Sequence, residues 1–371
     1  MYGLRGSTFA SSWIDLAPLA AEPAEALPRV TIVVPARDEE RSIEACVASL
    51  LAQRWVHFRV IVVDDRSTDA TPRILERLAA SDGRLQVVRG DELPDGWVGK
   101  PWALHQGVAH ADGEWLLFTD ADSIHHPLAT ATALWYASRT PVDVLSLATG
   151  QDLETFWERA TLPSILGVLF FVTGPFGAIN DPAKPNRALA NGQYILARRS
   201  AYDALGGHAA LRNEIVEDLE FARRIKADGR FRLALVAGET LVRVRMYRSL
   251  AEIWEGFTKN IFLGAKGNVP ATAAFAALLL ALSVAPPLLA VRALARRRPF
   301  EAAEAVATSL AIFAATRWGV GRTTIDPRLA VYQPLGFAVF AAISINSAWQ
   351  SITGKGVMWR GRRYRGGKTG T

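Results

Sequence analysis

Asp120 and Asp122 stand two residues apart at the end of the charge-free run Leu116-Leu117-Phe118-Thr119. In extended backbone, positions i and i+2 point to one side, so the two carboxylates aim at a common point. Oxygen donors arranged in this way suit a hard divalent cation, Mg2+ or Mn2+, which can also grip a substrate diphosphate. A local reading competes, in which Asp122 with Ser123 caps an Asx-type turn. A second acidic pair, Asp64-Asp65, ends the β-branched run from Phe58 to Val63. A third, Glu217-Asp218, opens a helical pattern with Phe221, Ala222 and Ile225 on one face. Acids also favour helix N-termini through the macrodipole, so on composition alone that third pair is an ordinary helix start. Carboxylates gathered at strand ends repel unless a cation offsets them, either a side chain such as Lys100 or a metal carrying a nucleotide.

The elements that position these groups alternate. Val30 to Pro35 reads as a strand ended by its proline, and Ile43, Val47, Leu50 and Leu51 follow at helical spacing. Phe58 to Val63 is a second strand, and Thr71 with Pro72 starts a second helix. Leu85 to Val88 is a third strand. Trp97-Val98-Gly99-Lys100 turns into a helix over Pro101 to His110, and Trp115 to Phe118 is the fourth strand. Val142 to Leu147 and Asn191 to Leu196 read as further strands. The alternation predicts an α/β fold with a mostly parallel sheet covered on both faces. Neither a P-loop nor a Gly-x-Gly-x-x-Gly follows the first strand, which argues against a Walker-type kinase or a simple dinucleotide enzyme.

Val33-Val34-Pro35-Ala36-Arg37-Asp38-Glu39-Glu40, Val63-Asp64-Asp65-Arg66-Ser67-Thr68-Asp69 and Thr119-Asp120-Ala121-Asp122 resemble the successive donor-site motifs of family 2 glycosyltransferases. Those are inverting, nucleotide-sugar-dependent enzymes with the GT-A fold, and the bacterial hopanoid and carotenoid lipid glycosyltransferases are similar. The resemblance covers Val30 to Gly264. It implies that Pro35, Ala36, Arg37, Glu39, Asp64 and Asp65 hold the uracil and ribose of a UDP-sugar. By the same resemblance Lys100, Asp120 and Ala121 belong to the donor site, and Asp122, with Asp120, holds a metal on the diphosphate. Asn191, Gly192 and Gln193 match the acceptor-side strand, and Glu217-Asp218 matches the motif supplying the catalytic base, Asp218. Arg245, Tyr247 and Trp254 are acceptor or diphosphate candidates, or equally interface anchors ahead of an apolar segment. The Gln-x-x-Arg-Trp motif of processive polysaccharide synthases is missing, which argues against long-chain polymerisation.

The 371 residues carry a formal charge of +6, a hydrophobic fraction of 50% and one cysteine, Cys46. A lone cysteine excludes a disulfide framework and a cysteine metal site. The mean hydropathy of +0.12 conceals a split near Asn268. Val269 to Val291 is twenty-three residues without a charge, about 34 Å as helix and enough to span a bilayer. Leu329 to Trp349 is a second candidate, and Ala305 to Thr316 a third if its flanks join it. Thr161 to Ile179 is also charge-free, but its prolines and glycines favour an interfacial element near an acceptor. The basic clusters Arg296-Arg297-Arg298 and Arg360, Arg362, Arg363, Arg365 and Lys368 flank apolar segments, which fits lipid phosphate and not nucleic acid.

The expected organisation is a loose segment over 1–28, a GT-A domain over 29–264, a membrane region over 265–350 and a basic tail over 351–371. With no signal or anchor in Met1 to Pro28, the catalytic domain should face the cytoplasm from the bacterial inner membrane. Two full crossings would return the tail to that side, and three would place it outside, against the positive-inside rule. The expected activity is transfer from a UDP-sugar to a lipid. Alternatives are transfer to polyprenyl phosphate and a non-catalytic nucleotide-sugar-binding membrane scaffold.

Overall fold

The computed structural model describes residues 14–174, 176–264, 268–321, 323–353, 357–359, 362–365 and 368–369. Arg360 of the basic tail, Pro175 of the apolar run and Met1 to Trp13 of the first segment lie outside the described residues. The chain divides into two units, Met1–Gln151 with Thr173–Arg245, and Asp152–Val172 with Met246–Thr371.

In chain order the first unit begins β1 (Val30–Ala36), α1 (Ile43–Leu51), β2 (Phe58–Asp64), α2 (Thr71–Ser81), β3 (Leu85–Arg89), α3 (Gly99–Ala109) and β4 (Trp115–Phe118). It continues with β5 (Ser123–His125), α4 (Ala129–Arg139), β6 (Val144–Ala148) and β7 (Gly150–Gln151). After α5 (Phe156–Thr173) the chain returns through α6 (Phe176–Asn180), β8 (Ile195–Arg198), α7 (Arg199–Ala204), α8 (Glu217–Asp228), β9 (Leu233–Ala237) and β10 (Val242–Val244). Seven strands form a sheet in the order β3-β2-β1-β4-β8-β6-β9. All neighbours are parallel except β8, which runs antiparallel to both β4 and β6. The mixed α/β, GT-A-like architecture is the one anticipated.

Strand periodicity builds this layer. Val30, Ile32, Val34 and Ala36 of β1 enter one core cluster with α1, while Val33 enters another on the opposite face with Leu104 of α3. Gly107 lets α3 lie directly on Val33 and Val63, where a Cβ would collide, and so sets the first turn of α3 beside the strand ends. One expectation fails. Asn191 to Gln193 is a turn ahead of β8 and not part of the strand. Tyr194 N–H closes it onto Asn191 O at 3.0 Å. The Asn191 N–H bonds Ser146 Oγ at 2.8 Å and the Asn191 amide bonds Leu147 O at 2.9 Å, so these groups are taken before a strand ladder could use them.

The second unit is helical: α5, α9 (Leu250–Gly264), α10 (Val269–Ala295), α11 (Pro299–Val320) and α12 (Gln333–Ile352), followed by short strands β11 (Val357–Trp359), β12 (Arg362–Arg365) and β13 (Lys368–Thr369). The apolar run expected at an interface therefore begins as part of a helix whose Leu162 and Ile165 are buried with Phe257, Phe337 and Phe340. Gly336 of α12 leaves no room for a Cβ against Ser164 of α5, a close helix contact that a larger residue would push apart. Two helical segments, Val269–Ala295 and Pro327–Gln350, are long and apolar enough to cross a membrane.

Candidate active site

Helix α3 delivers Lys100 and α8 delivers Glu217 and Asp218 to the end of β4. The Lys100 ammonium lies 2.7 Å from Asp120 Oδ1 and 2.8 Å from Glu217 Oε1, tying β4 to α8. Gly192 N–H donates to Asp218 Oδ2 at 2.9 Å, and Leu219 N–H donates to Asp218 Oδ1 at 2.7 Å. A Cβ on Gly192 would stand 3.0 Å from Lys100 Nζ and 3.1 Å from Asp218 Oδ2, so only glycine allows this approach without displacement. Lys100, Leu104, Phe118, Gly192, Glu217 and Asp218 line one pocket.

The electrostatics follow from that crowding. Burial pushes the Asp218 carboxyl up to about 6, helped by Glu217 and opposed by Lys100 and the two backbone amides. Burial works against the Lys100 cation, but Asp120, Glu217 and Asp218 outweigh it and hold the group well above its ordinary range. Asp218 is therefore a carboxylate of raised basicity next to an ammonium that stays charged.

Next to this pocket, the loops after β1 and β2 are stitched together. The Arg37 guanidinium donates to Asp65 O at 2.7 Å and lies 3.9 Å from the Asp65 carboxylate. Asp64 Oδ1 accepts from Ser67 N–H, Asp38 Oδ1 accepts from Thr68 N–H at 2.7 Å, and Glu39 N–H donates to Thr71 Oγ1 at 2.8 Å. Asp38 and Arg66 take φ of 53° and 59°, left-handed conformations costing roughly 1–3 kcal/mol each that these cross-loop bonds offset. Behind them Cys46 Sγ lies 3.6 Å from Asp120 O. Burial raises its thiol, and the charges of Asp122, Glu39 and Asp120 add to the effect. Ala36 and Ala121 are buried in the same region.

The family model described as Glycosyl transferase family 2 matches residues 31–206. The 4,4'-diaponeurosporenoate glycosyltransferase of Staphylococcus aureus (strain USA300) is 30% identical over 346 residues, 90% of this chain and 88% of that protein. The chain belongs to glycosyl transferase family 2. Among solved structures, the glycosyltransferase shares its fold with mannosyltransferase PcManGT from Pyrobaculum calidifontis, in complex with GDP-Man and Mn2+. That match has a TM-score of 0.50 at 21% identity and covers 93% of this chain and 91% of that one.

A divalent ion fits the transferase only with help from its substrate. Among the described residues no three His, Cys, Asp or Glu side chains are grouped to hold a metal. Asp120 and Asp122 supply carboxylate oxygens alone, the donor type that Mg2+ and Mn2+ take, and such ions commonly complete their shell with phosphate and water.

The remaining anticipated residues separate. The Asn191 and Gln193 side chains build the turn that carries Gly192. The Gln193 side chain accepts from Thr149 Oγ1 at 2.5 Å, and its backbone O accepts from Thr119 Oγ1 at 2.8 Å. Arg245 is half-buried at the end of the first unit. Tyr247 and Trp254 belong to the second, where Tyr247 is buried 5.5 Å from the Phe257 ring and Trp254 packs on the same core. Thr119, Thr149 and the buried histidines also take part. His208 Nδ1 lies 2.8 Å from Tyr202 OH, and burial, then Lys100, lowers its pKa to about 3, so it stays neutral beside the pocket. Nothing local in the sequence marks Thr119 and Thr149, which act through Gln193 far along the chain.

Proposed function

We propose that this glycosyltransferase moves a sugar, with inversion, from a UDP-sugar to a hydroxyl or carboxyl group of a carotenoid-type lipid, at the cytoplasmic face of a bacterial inner membrane. The observation that carries this reading is Asp218: oriented by two amides, raised in basicity, and in one pocket with Lys100, which pairs with Asp120.

Pro35 and Ala36 at the end of β1, Asp64 at the end of β2, and Arg37, Glu39 and Asp65 in the stitched loops that follow would hold the nucleoside. Asp122 and Asp120 would hold Mg2+ or Mn2+, which when bound neutralises charge on the leaving diphosphate. Asp218 takes the proton from an acceptor hydroxyl as its oxygen attacks the anomeric carbon, on the side opposite the diphosphate, whereas an acceptor carboxylate attacks already ionised. Glu217 is held by the Lys100 ammonium, which leaves Asp218 to take the proton. Gly192, on the turn built by Asn191 and Gln193, lets the acceptor oxygen approach closely. Arg245, Tyr247 and Trp254 remain candidates for the acceptor's passage.

The acceptor class rests on the relative's printed substrate and on the apolar surface of the second unit. Leu278, Leu280, Val284, Leu288, Leu289 and Val291 of α10 are all exposed, an outward apolar band that suits acyl chains better than water. β11 packs on α9, the helix that precedes α10, and on α12. A tail lying back at α9 favours an even number of crossings between them. Polyprenyl phosphate is a poorer acceptor for this site, because Lys100 is committed to two carboxylates and the pocket's charge is in anionic surplus. The geometry around Asp218 likewise favours catalysis over a scaffold.

The test is a nucleotide-release assay with purified protein, Mn2+, a UDP-sugar and a carotenoid acid or alcohol, with mass spectrometry of the product. A glycosylated carotenoid that disappears in Asp218→Asn is the expected result. Glycosylation of a water-soluble acceptor alone would refute the lipid assignment.

A further inference from the structure

The Lys100 ammonium stands where a cation serving Asp120 would act. Asp120 Oδ1 is 2.7 Å away and Glu217 Oε1 is 2.8 Å away, and the space on the third side is bounded by Gly192 and Asp218. The helix that carries Lys100 is fixed on the sheet through Gly107, so the ammonium reaches this point from a rigid base. The Lys100 side chain is itself only partly exposed. A second cation brought alone to Asp120 would meet a like charge within a few ångströms, a repulsion that water screens weakly in a half-buried site.

We propose that Lys100 gates the metal: its ammonium competes with a free divalent ion for Asp120, so the ion enters only together with the nucleotide diphosphate. The diphosphate supplies the negative charge and the oxygen ligands that the protein's two carboxylates lack, and it gives Lys100 a second anionic partner. Lys100 retains Glu217 throughout, which keeps the start of α8, and with it Asp218, beside β4. Productive binding is thereby limited to the metal-loaded donor, and Asp120 is shielded from bare metal. This gate rests on the proposed role of Asp120 and Asp122 in holding a divalent ion.

The experiment titrates Mn2+ into full-length protein in nanodiscs and follows the free-ion signal by electron paramagnetic resonance, with and without UDP. Wild-type protein is expected to bind Mn2+ weakly alone and at least about tenfold more tightly with UDP. Lys100→Met should bind Mn2+ without UDP at least about tenfold more tightly than wild type, and Lys100→Arg should resemble wild type. Adding Asp120→Asn to Lys100→Met should abolish the gain, which assigns it to this carboxylate. Equal thermal transitions for wild type, Lys100→Met and Lys100→Arg establish that each variant is folded. If Lys100→Met binds bare Mn2+ no better while wild type with UDP binds it well, the gate is wrong and the metal assignment stands. If wild type binds no Mn2+ even with UDP, both fall.

Discussion

The two units place opposite kinds of side chain in opposite environments. In the first, charged or titratable groups are buried: Asp64, Asp65, His125, His208 and Glu217. Among its described residues only Ile124 is a large apolar side chain left exposed. In the second, Glu158 is the one charged residue among the buried groups described, and it serves the start of α5 by accepting from Glu154 and Thr155 N–H. There the apolar side chains turn outward along α10, α11 and α12, from Leu278 to Ile352. Burying charge is costly unless it is paired or used, and exposing hydrocarbon to water is costly unless something covers it. One unit thus buries paired charge, and the other leaves a band of hydrocarbon exposed.

The sharpest way to break this contrast is at the base. Asp218→Asn keeps the size and one acceptor oxygen but cannot take a proton, so turnover should fall about 10³-fold. Nucleotide affinity by calorimetry should change less than about twofold, since the loss lies in the transition state. Near-normal turnover would leave the buried acids of the first unit without a chemical purpose. On the other side, Val284→Arg puts a cation near the middle of the outward face of α10, at an insertion cost of about 2.5–3.5 kcal/mol. Its membrane-pelleted fraction should drop, whereas Ile124→Arg in the first unit should leave it unchanged. Equal retention of both variants would mean that the outward band does not face lipid.

A third measurement uses pH. Burial pushes Asp218 up to about 6 against an ordinary 3.8, so the proposed base is protonated as pH falls through about 6. Well below that point kcat/KM should decline about tenfold per pH unit. The stability contribution has the opposite sign: the folded chain takes up this proton before the unfolded chain does, so Asp218 destabilises less as pH falls from about 6 toward 3.8. Retention of the protein in membranes should stay flat over the same interval, and a parallel decline would erase the distinction.

Smaller effects sharpen the picture. Gly192→Ala crowds Lys100 Nζ and Asp218 Oδ2, both ends of movable side chains, so kcat should fall about tenfold with little change in melting temperature. Unchanged kcat would show that the base tolerates displacement. Tyr202→Phe removes a hydroxyl bonded to both His208 Nδ1 and His208 N–H, with an expected loss of about 1 kcal/mol in thermal unfolding and normal nucleotide affinity. A large kinetic effect would make His208 more than a packing group.

Much of this was readable from residue order because local chemistry dictates it. The mostly apolar runs ending in Asp64-Asp65 and Asp120-Ala121-Asp122 are strands with acids at their ends, and Glu217 does open a helix. Asn191 to Gln193 escaped because its alternative to a strand is imposed by Ser146, Leu147 and Asp218, all remote in sequence. The antiparallel placing of β8 is equally a tertiary decision. Lys100 was legible as a cation near acids, but its simultaneous hold on Asp120 and Glu217 depends on how α3 settles over Gly107. Tyr247 and Trp254 show the converse limit, since aromatic residues ahead of an apolar segment look alike whether they meet a ligand or fill a core.

The position of Cys46 has a practical corollary. The only sulfhydryl in the sequence is sealed under Asp120 O, fully buried and held in its neutral, unreactive form. Alkylating probes applied to the folded protein should pass it by. Single cysteines introduced along α10, α11 and α12 can therefore be labelled from either side of a vesicle in the natural background, a direct test of the proposed membrane crossings that removes no residue from the catalytic core.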